Sequence, residues 1–180
     1  MIIVRENTLY ERRATIKRPP PIRNPIGAIA VFDQIDTIFS YIFIEFTYLI
    51  DIFISENWNL AESQKDSLSS YHKHAKEIRT HLTNIELLNA GLAQFLASEE
   101  RPIPIKATVS AAIDVRTEMI GKTIKLYYDE VKGTMFPRFD EEIKRLKDII
   151  EKVNLNIDRI NEINVSHRRN PINHVKNLTI

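Results

Sequence analysis

Apolar residues recur at alternating spacings of three and four along most of the chain after residue 25. This spacing places them on one face of an α-helix. Prolines at 102 and 104, and a glycine at 133 with a proline at 137, interrupt the pattern. It therefore predicts four helices, near residues 26–57, 60–98, 106–132 and 138–167. The predicted core contains Leu82, Ile85, Ile120, Ile150 and Ile157.

The first predicted helix is apolar enough to raise the question of a membrane span, for which about 20 apolar residues suffice. Its polar residues favour another interpretation, because they fall on one stripe: Asp33, Asp36, Thr37, Ser40, Thr47 and Asp51. Such a stripe is typical of a helix that is buried on most sides and wetted along one edge. Acidic residues also oppose insertion into a bilayer. We expect a core helix and no membrane association.

The sequence thus predicts an all-α fold, an antiparallel bundle of about four long helices that forms one domain over residues 26–180. Residues 1–25 differ, because they carry six basic and two acidic side chains and end in prolines 19, 20, 21 and 25. Proline fixes the backbone and donates no hydrogen bond. We expect an extended, basic, proline-rich N-terminal arm that docks on the bundle or on a partner.

The overall charge excludes a general attraction to nucleic acid, since 25 basic side chains meet 24 acidic ones and the net charge is +1. The chain has no cysteine, which removes disulfides, thiolate catalysis and cysteine-ligated zinc. Its first residues lack the apolar stretch of a signal peptide. These features favour a cytoplasmic location.

No metal or cofactor site is expected. On the second predicted helix, His74 and His81 share a face and His72 points elsewhere, as surface histidines would. The aspartates of the polar stripe lack the Glu-x-x-His motif of di-iron bundles. Glu45 lies opposite that stripe, and is either a buried acid with a raised pKa or the partner of an arginine or lysine on a neighbouring helix.

One segment near the C-terminus has the composition of a catalytic site: Arg169-Asn170-Pro171-Ile172-Asn173-His174. Pro171 suits the first turn of a short helix, on which the arginine and histidine side chains would converge. An arginine that binds a phosphate and an imidazole that transfers a proton suit the cleavage of RNA, with the 2′-hydroxyl as nucleophile. The expected nucleic-acid contacts are the nearby Arg168 and Lys176, and in the arm Arg12, Arg13 and Arg18.

These residues resemble the signature of the HEPN superfamily of helical bundles, an arginine often followed by asparagine, with a histidine four to six residues later. The resemblance covers about the last quarter of the chain, from Phe136 onward. It implies a metal-independent RNA endonuclease of a toxin–antitoxin, abortive-infection or RNA-processing type. It also implies a homodimer or higher homo-oligomer with a composite site, and a protein antitoxin as a further partner. By this resemblance Arg169 holds phosphate, His174 transfers protons and Asn170 orients the turn.

Two other functions fit the same pattern. In one, the chain is a structural helical-bundle subunit, like the coat proteins of filamentous archaeal viruses, whose basic arm lies along nucleic acid or a neighbouring subunit. In the other, it is a non-catalytic interaction module that uses the arm. A coat subunit would polymerise and bind nucleic acid with steep salt dependence, whereas a ribonuclease would cleave RNA but not DNA.

Overall fold

The computed structural model describes residues 18–54, 68–134 and 136–180, and the backbone alone at 55 and 61–67. Within them lie four helices and no strand: α1 (Pro25–Ser55), α2 (Ala61–Leu96), α3 (Ala107–Val131) and α4 (Asp140–Val165). The prediction of an all-α bundle is confirmed, and each described helix begins and ends within two residues of its predicted bounds. The first 17 residues of the predicted arm lie outside the described residues.

The core forms where the three-four spacing predicts it. On α1 the buried residues follow this spacing without interruption: Ala28, Phe32, Ile35, Phe39, Ile42, Phe46 and Leu49. All five predicted core residues are at most 1% exposed: Leu82, Ile85, Ile120, Ile150 and Ile157. The buried face of α2 contains an amide side chain, that of Asn89, which accepts a hydrogen bond from the Asn156 side chain of α4 at 2.6 Å.

The outer face of α1 is less polar than predicted. Asp33, Thr37 and Asp51 are exposed as expected, but large apolar residues are exposed beside them: Tyr41, Ile44, Tyr48 and Ile54. The segment Pro25–Ile54 is long and apolar enough to cross a membrane, a property that the core helices of water-soluble bundles share. Nine of its residues are buried in the bundle, the seven above together with Ile50 and Phe53, so part of its apolar composition belongs to the core.

The helices alternate in direction along the chain, and they are not all neighbours. Ring contacts of Tyr41 with His81 and of Tyr48 with His74 show that α1 and α2 are antiparallel. α1 packs against α2 and α3, and α2 packs against α4, but the backbones of α3 and α4 do not approach each other closely. We call the end where α1 and α3 begin and α2 and α4 end the base of the bundle.

The last twelve residues, 169–180, close the side between α3 and α4, and we call them the strap. They contain no helix. Every third residue is buried, namely Ile172, Val175 and Leu178. The side-chain amide of Asn161 binds both the N–H and the C=O of Ile172 at 2.8 Å, and Asn154 does the same for Val175 at 2.8 and 3.0 Å.

The predicted short helix at Pro171 is wrong. Because asparagine side chains on α4 pair with the backbone of the strap, the strap needs no internal helical hydrogen bonds. Asn161 and Asn154 are seven residues apart, about 10.5 Å along α4, and only an extended chain covers that distance between Ile172 and Val175. On the α3 side, Gly121 lets the strap approach closely, since a Cβ there would lie 3.1 Å from the carbonyl oxygen of Thr179.

The opposite end of the bundle is fixed by an aromatic cluster. The hydroxyls of Tyr71 and Tyr127 contact each other and donate to the carbonyl oxygen of Pro137 at 2.6 and 2.7 Å. Burial raises the pKa of both phenols, that of Tyr127 to about 12. The cluster holds the turn between α3 and α4, which begins at Gly133 with a φ of 77°, as the sequence predicts for a left-handed helix end.

Candidate functional site

The motif residues begin where α4 ends at the base. The N–H of Arg169 bonds to the carbonyl of Asn164 at 3.1 Å, and that of Arg168 bonds to Val165 at 3.1 Å. These two bonds form a Schellman motif, a helix end that contains one residue with a left-handed backbone, usually a glycine. Here it is Arg168, with a φ of 58°. A left-handed backbone costs a residue with a side chain about 1–2 kcal/mol.

The base is held rigidly below this turn. The side chain of Asn164 is buried and pairs with both backbone groups of Ile103, at 2.7 and 2.6 Å. Arg159 donates to the carbonyls of Leu96 and Glu99 at the end of α2. These hydrogen bonds hold the connection between α2 and α3 against α4. Arg168 and Arg169, which follow α4, therefore start from a well-fixed backbone.

Arg168, Arg169 and Asn170 are exposed. Among the residues that the structure describes, neither arginine forms an ion pair, so both guanidinium groups can bind an anion. The sequence places these cations correctly at the end of a bundle helix. It does not reveal the left-handed backbone of Arg168, because nothing in the local sequence marks that position.

His174 lies farther along the strap, and its Nε2 is hydrogen-bonded to a carboxylate oxygen of Asp158 on α4. Both side chains are about half exposed. Asp158 precedes Asn164 by six residues, which corresponds to about 9 Å along the helix axis. Arg169 and His174 thus lie on one edge of the bundle at different heights, and they do not share a helical turn as the sequence predicted.

The other residues that the sequence predicts to contact nucleic acid do not lie at one site. Arg12 and Arg13 lie outside the described residues. Arg18 is exposed beside the outer face of α2. Lys176 lies on the α3 side, where its amino group is 3.4 Å from Glu118 and its backbone N–H bonds to Asp114. The structure therefore places Arg168 at the base and Arg18 beside α2, while Glu118 neutralises part of the charge of Lys176.

Further cations at the base were missed by sequence reasoning. Arg101 is held by Glu99 through hydrogen bonds of 2.6 and 2.9 Å, and it donates to the backbone carbonyl of Arg23 at 3.1 Å. The hydrogen bonds from Arg101 lower the pKa of Glu99 to about 2. Lys106 is exposed at the start of α3. These residues are far apart in sequence, so no local pattern indicates that they meet.

The histidines of α2 belong to the α1–α2 surface. His74 is paired with Glu45 at 2.6 Å, so the partner of this glutamate is a histidine and not the arginine or lysine expected. His81 packs on Tyr41, and burial lowers its pKa. Within the described part of the chain, no three metal-ligating side chains are grouped around one position.

No protein-family model, curated protein or solved structure matches the chain.

Proposed function

We propose that the protein binds single-stranded RNA at the base of the bundle and cleaves it without a metal ion. The observation that supports this is the pairing of His174 with Asp158 on the same edge as the guanidinium groups of Arg168 and Arg169, which are exposed and form no ion pair within the described residues. A carboxylate that accepts a hydrogen bond from an imidazole fixes the orientation of the ring and leaves its other nitrogen for proton transfer. An exposed arginine can bind two oxygens of one phosphate.

The reaction follows from these two groups. His174 removes the proton of the ribose 2′-hydroxyl, and the oxygen attacks the adjacent phosphorus while Arg169 neutralises the phosphate charge. The bond to the 5′-oxygen breaks, and that oxygen takes a proton from water or from the histidine of a second copy. The products are a 2′,3′-cyclic phosphate and a 5′-hydroxyl. DNA is not cleaved because it lacks the nucleophile.

The resemblance to HEPN proteins adds a second copy of the chain to this proposal. The separation of about 9 Å between the levels of Asn164 and Asp158 along α4 is better suited to a site completed by a homodimer than to one formed on a single helical turn. An RNA substrate suits the cytoplasm, where a protein antitoxin would also be found.

The test is cleavage of several single-stranded RNAs in excess chelator. We expect His174→Ala to abolish turnover and Arg169→Lys to be badly impaired, since an ammonium group cannot bind two phosphate oxygens at once. Asn170→Ala should be milder. His72→Ala is the matched control, because His72 is also exposed but lies on α2. Equal cleavage by the wild type and His174→Ala, both folded and of the same oligomeric state, would refute the catalytic role.

A second candidate, a structural or interaction subunit, is favoured by the outer face of α1. Tyr41, Ile44, Tyr48 and Ile54 are each more than 40% exposed along one helix. Exposed apolar patches commonly mark protein interfaces. This candidate predicts concentration-dependent assembly that Tyr48→Glu disrupts, measured by sedimentation velocity. It also predicts salt-sensitive binding of both DNA and RNA, without cleavage.

A further inference from the structure

A groove of about 680 Å³ lies at the base, outside the motif, between residues 18–23 and the outer face of α2. Its apolar lining comes from Leu87, Ala90, Gly91 and Phe95 on α2 and from the three prolines. This size falls within the range of small-molecule sites in proteins. The segment of residues 18–23 contains no helix or strand, and forms the opposite wall.

Gly91 has no structural reason to be glycine. A Cβ at this position would meet no atom within 4 Å. Glycine within a helix costs about 1 kcal/mol relative to alanine. The other glycines have local reasons: Gly27 and Gly121 have close neighbours, and Gly133 has a positive φ. The missing side chain at Gly91 leaves the middle of the groove open. This space adds nothing to the stability of the chain alone, so we expect a ligand to occupy it.

The rim of the groove is basic. Arg18 and Arg23 are exposed, and neither side chain forms an ion pair with another residue in the part of the chain that the structure describes. Arg101 closes one end, where its bonds to Glu99 and to the carbonyl of Arg23 hold it in place. Two exposed guanidinium groups above an apolar floor favour a ligand that combines a flat apolar ring with a phosphate.

The groove leads toward the motif. Arg101 binds the backbone of Arg23, and the neighbouring Glu100 accepts a hydrogen bond at its carbonyl from the ring of His167 at 2.8 Å. Arg168 and Arg169 follow His167 directly in the sequence. An extended polynucleotide that contacts these two arginines would therefore have the groove as its next site across the base.

We infer that this groove binds one nucleotide unit, with the nucleobase packed over Gly91 and Phe95 and the phosphate held by Arg18 and Arg23. Grooves that combine basic side chains with an aromatic or apolar surface are typical of single-strand binding. As a site for RNA, this inference rests on the proposed function. A free nucleotide has the same chemistry and is the other source of the ligand.

The experiment measures the anisotropy of a fluorescein-labelled, ten-nucleotide single-stranded oligouridylate on the His174→Ala background, where the RNA stays intact. Gly91→Leu fills the groove and should weaken RNA binding about ten-fold, which is the usual loss of affinity when one stacked nucleobase is removed. Arg18→Gln with Arg23→Gln should also weaken binding and reduce its salt dependence. Ala93→Leu is the matched control, because Ala93 is exposed on α2 outside this groove.

Gly91→Ala serves as the folding control, and should raise the midpoint of thermal unfolding because alanine favours the helix. Calorimetric titration with adenosine monophosphate tests the free nucleotide. If RNA binds and Gly91→Leu binds it as tightly as Ala93→Leu does, the groove site is refuted while the proposed function stands. If RNA does not bind but the nucleotide does, and Gly91→Leu abolishes that binding, the groove site stands and the proposed function fails. Binding of neither refutes both.

Discussion

The bundle is closed differently on two of its sides. Between α1 and α2, the helices pack directly through apolar residues at three-four spacing, with Phe39, Ile42 and Leu82 fully buried. Between α3 and α4 the backbones do not approach each other closely, and the strap lies between them and bonds to both helices. It is held by three buried apolar residues and by the amides of Asn154 and Asn161.

On the strap side, the polar bonds determine where the strap lies, while its apolar residues supply most of the stabilisation. Each asparagine binds both the N–H and the C=O of one strap residue, so a shift by one residue would break all four bonds. The strap also carries Arg169 and His174. Its register therefore sets the position of the motif relative to Asp158.

Deleting residues 172–180 should have the largest effect. It removes three buried apolar side chains, each contributing roughly 1.5–3 kcal/mol, and we expect a loss of about 5 kcal/mol in the free energy of unfolding. That is a large part of the stability of a small domain. Urea denaturation measures it. Deleting residues 179–180 alone is the control and should have little effect, and an unchanged midpoint after the longer deletion would mean that the strap does not close the bundle.

Asn161→Ala should cost about 1–3 kcal/mol, because it leaves the N–H and the C=O of Ile172 without partners in a partly buried place. Asn177→Ala, at an exposed position of the same strap, should change the unfolding free energy by less than about 0.5 kcal/mol. Chemical denaturation measures the free energy of unfolding of both variants. Equal effects would show that the asparagine bonds do not hold the strap in place.

Arg168→Gly should stabilise the protein by about 1 kcal/mol, because glycine adopts the left-handed backbone at little cost. The same change should weaken RNA binding, since it removes an exposed cation. Arg168→Ala separates the two effects, because it removes the charge and retains the backbone cost. Thermal unfolding and RNA titration of both variants give the comparison. Destabilisation by glycine would show that the arginine side chain contributes to the fold.

The smallest effect concerns His81 on the α1–α2 side. Burial lowers its pKa below 6.5, although Glu77 and Glu45 act in the opposite direction. A folded-state pKa below the unfolded value means that the contribution to stability is complete above pH 6.5 and is lost as the pH falls below it. His81→Phe keeps the ring contact with Tyr41 and should lose less stability between pH 7.5 and 5.5 than the wild type. An identical loss in both proteins would contradict this.

Sequence reasoning succeeded where an element is defined by its own periodicity. The buried faces of α1 and α4 could be predicted because apolar spacing determines which side of a helix avoids water. It failed at Pro171, where local preference favoured a helix, whereas asparagines 11 and 21 residues before the strap residues that they bind favoured an extended strap. It also missed Arg101 and Lys106, which reach the base only after α2 and α3 are packed.

Four helices, their buried faces and a basic segment after the last of them could be predicted from the sequence, because these follow from spacing and composition within one stretch of chain. The separation of the α3 and α4 backbones, the strap between them and the contact of His174 with Asp158 are visible only in the folded chain. The same is true of the open groove at Gly91. These features depend on contacts between distant residues, and such contacts form only when the backbone of one segment finds partners on another.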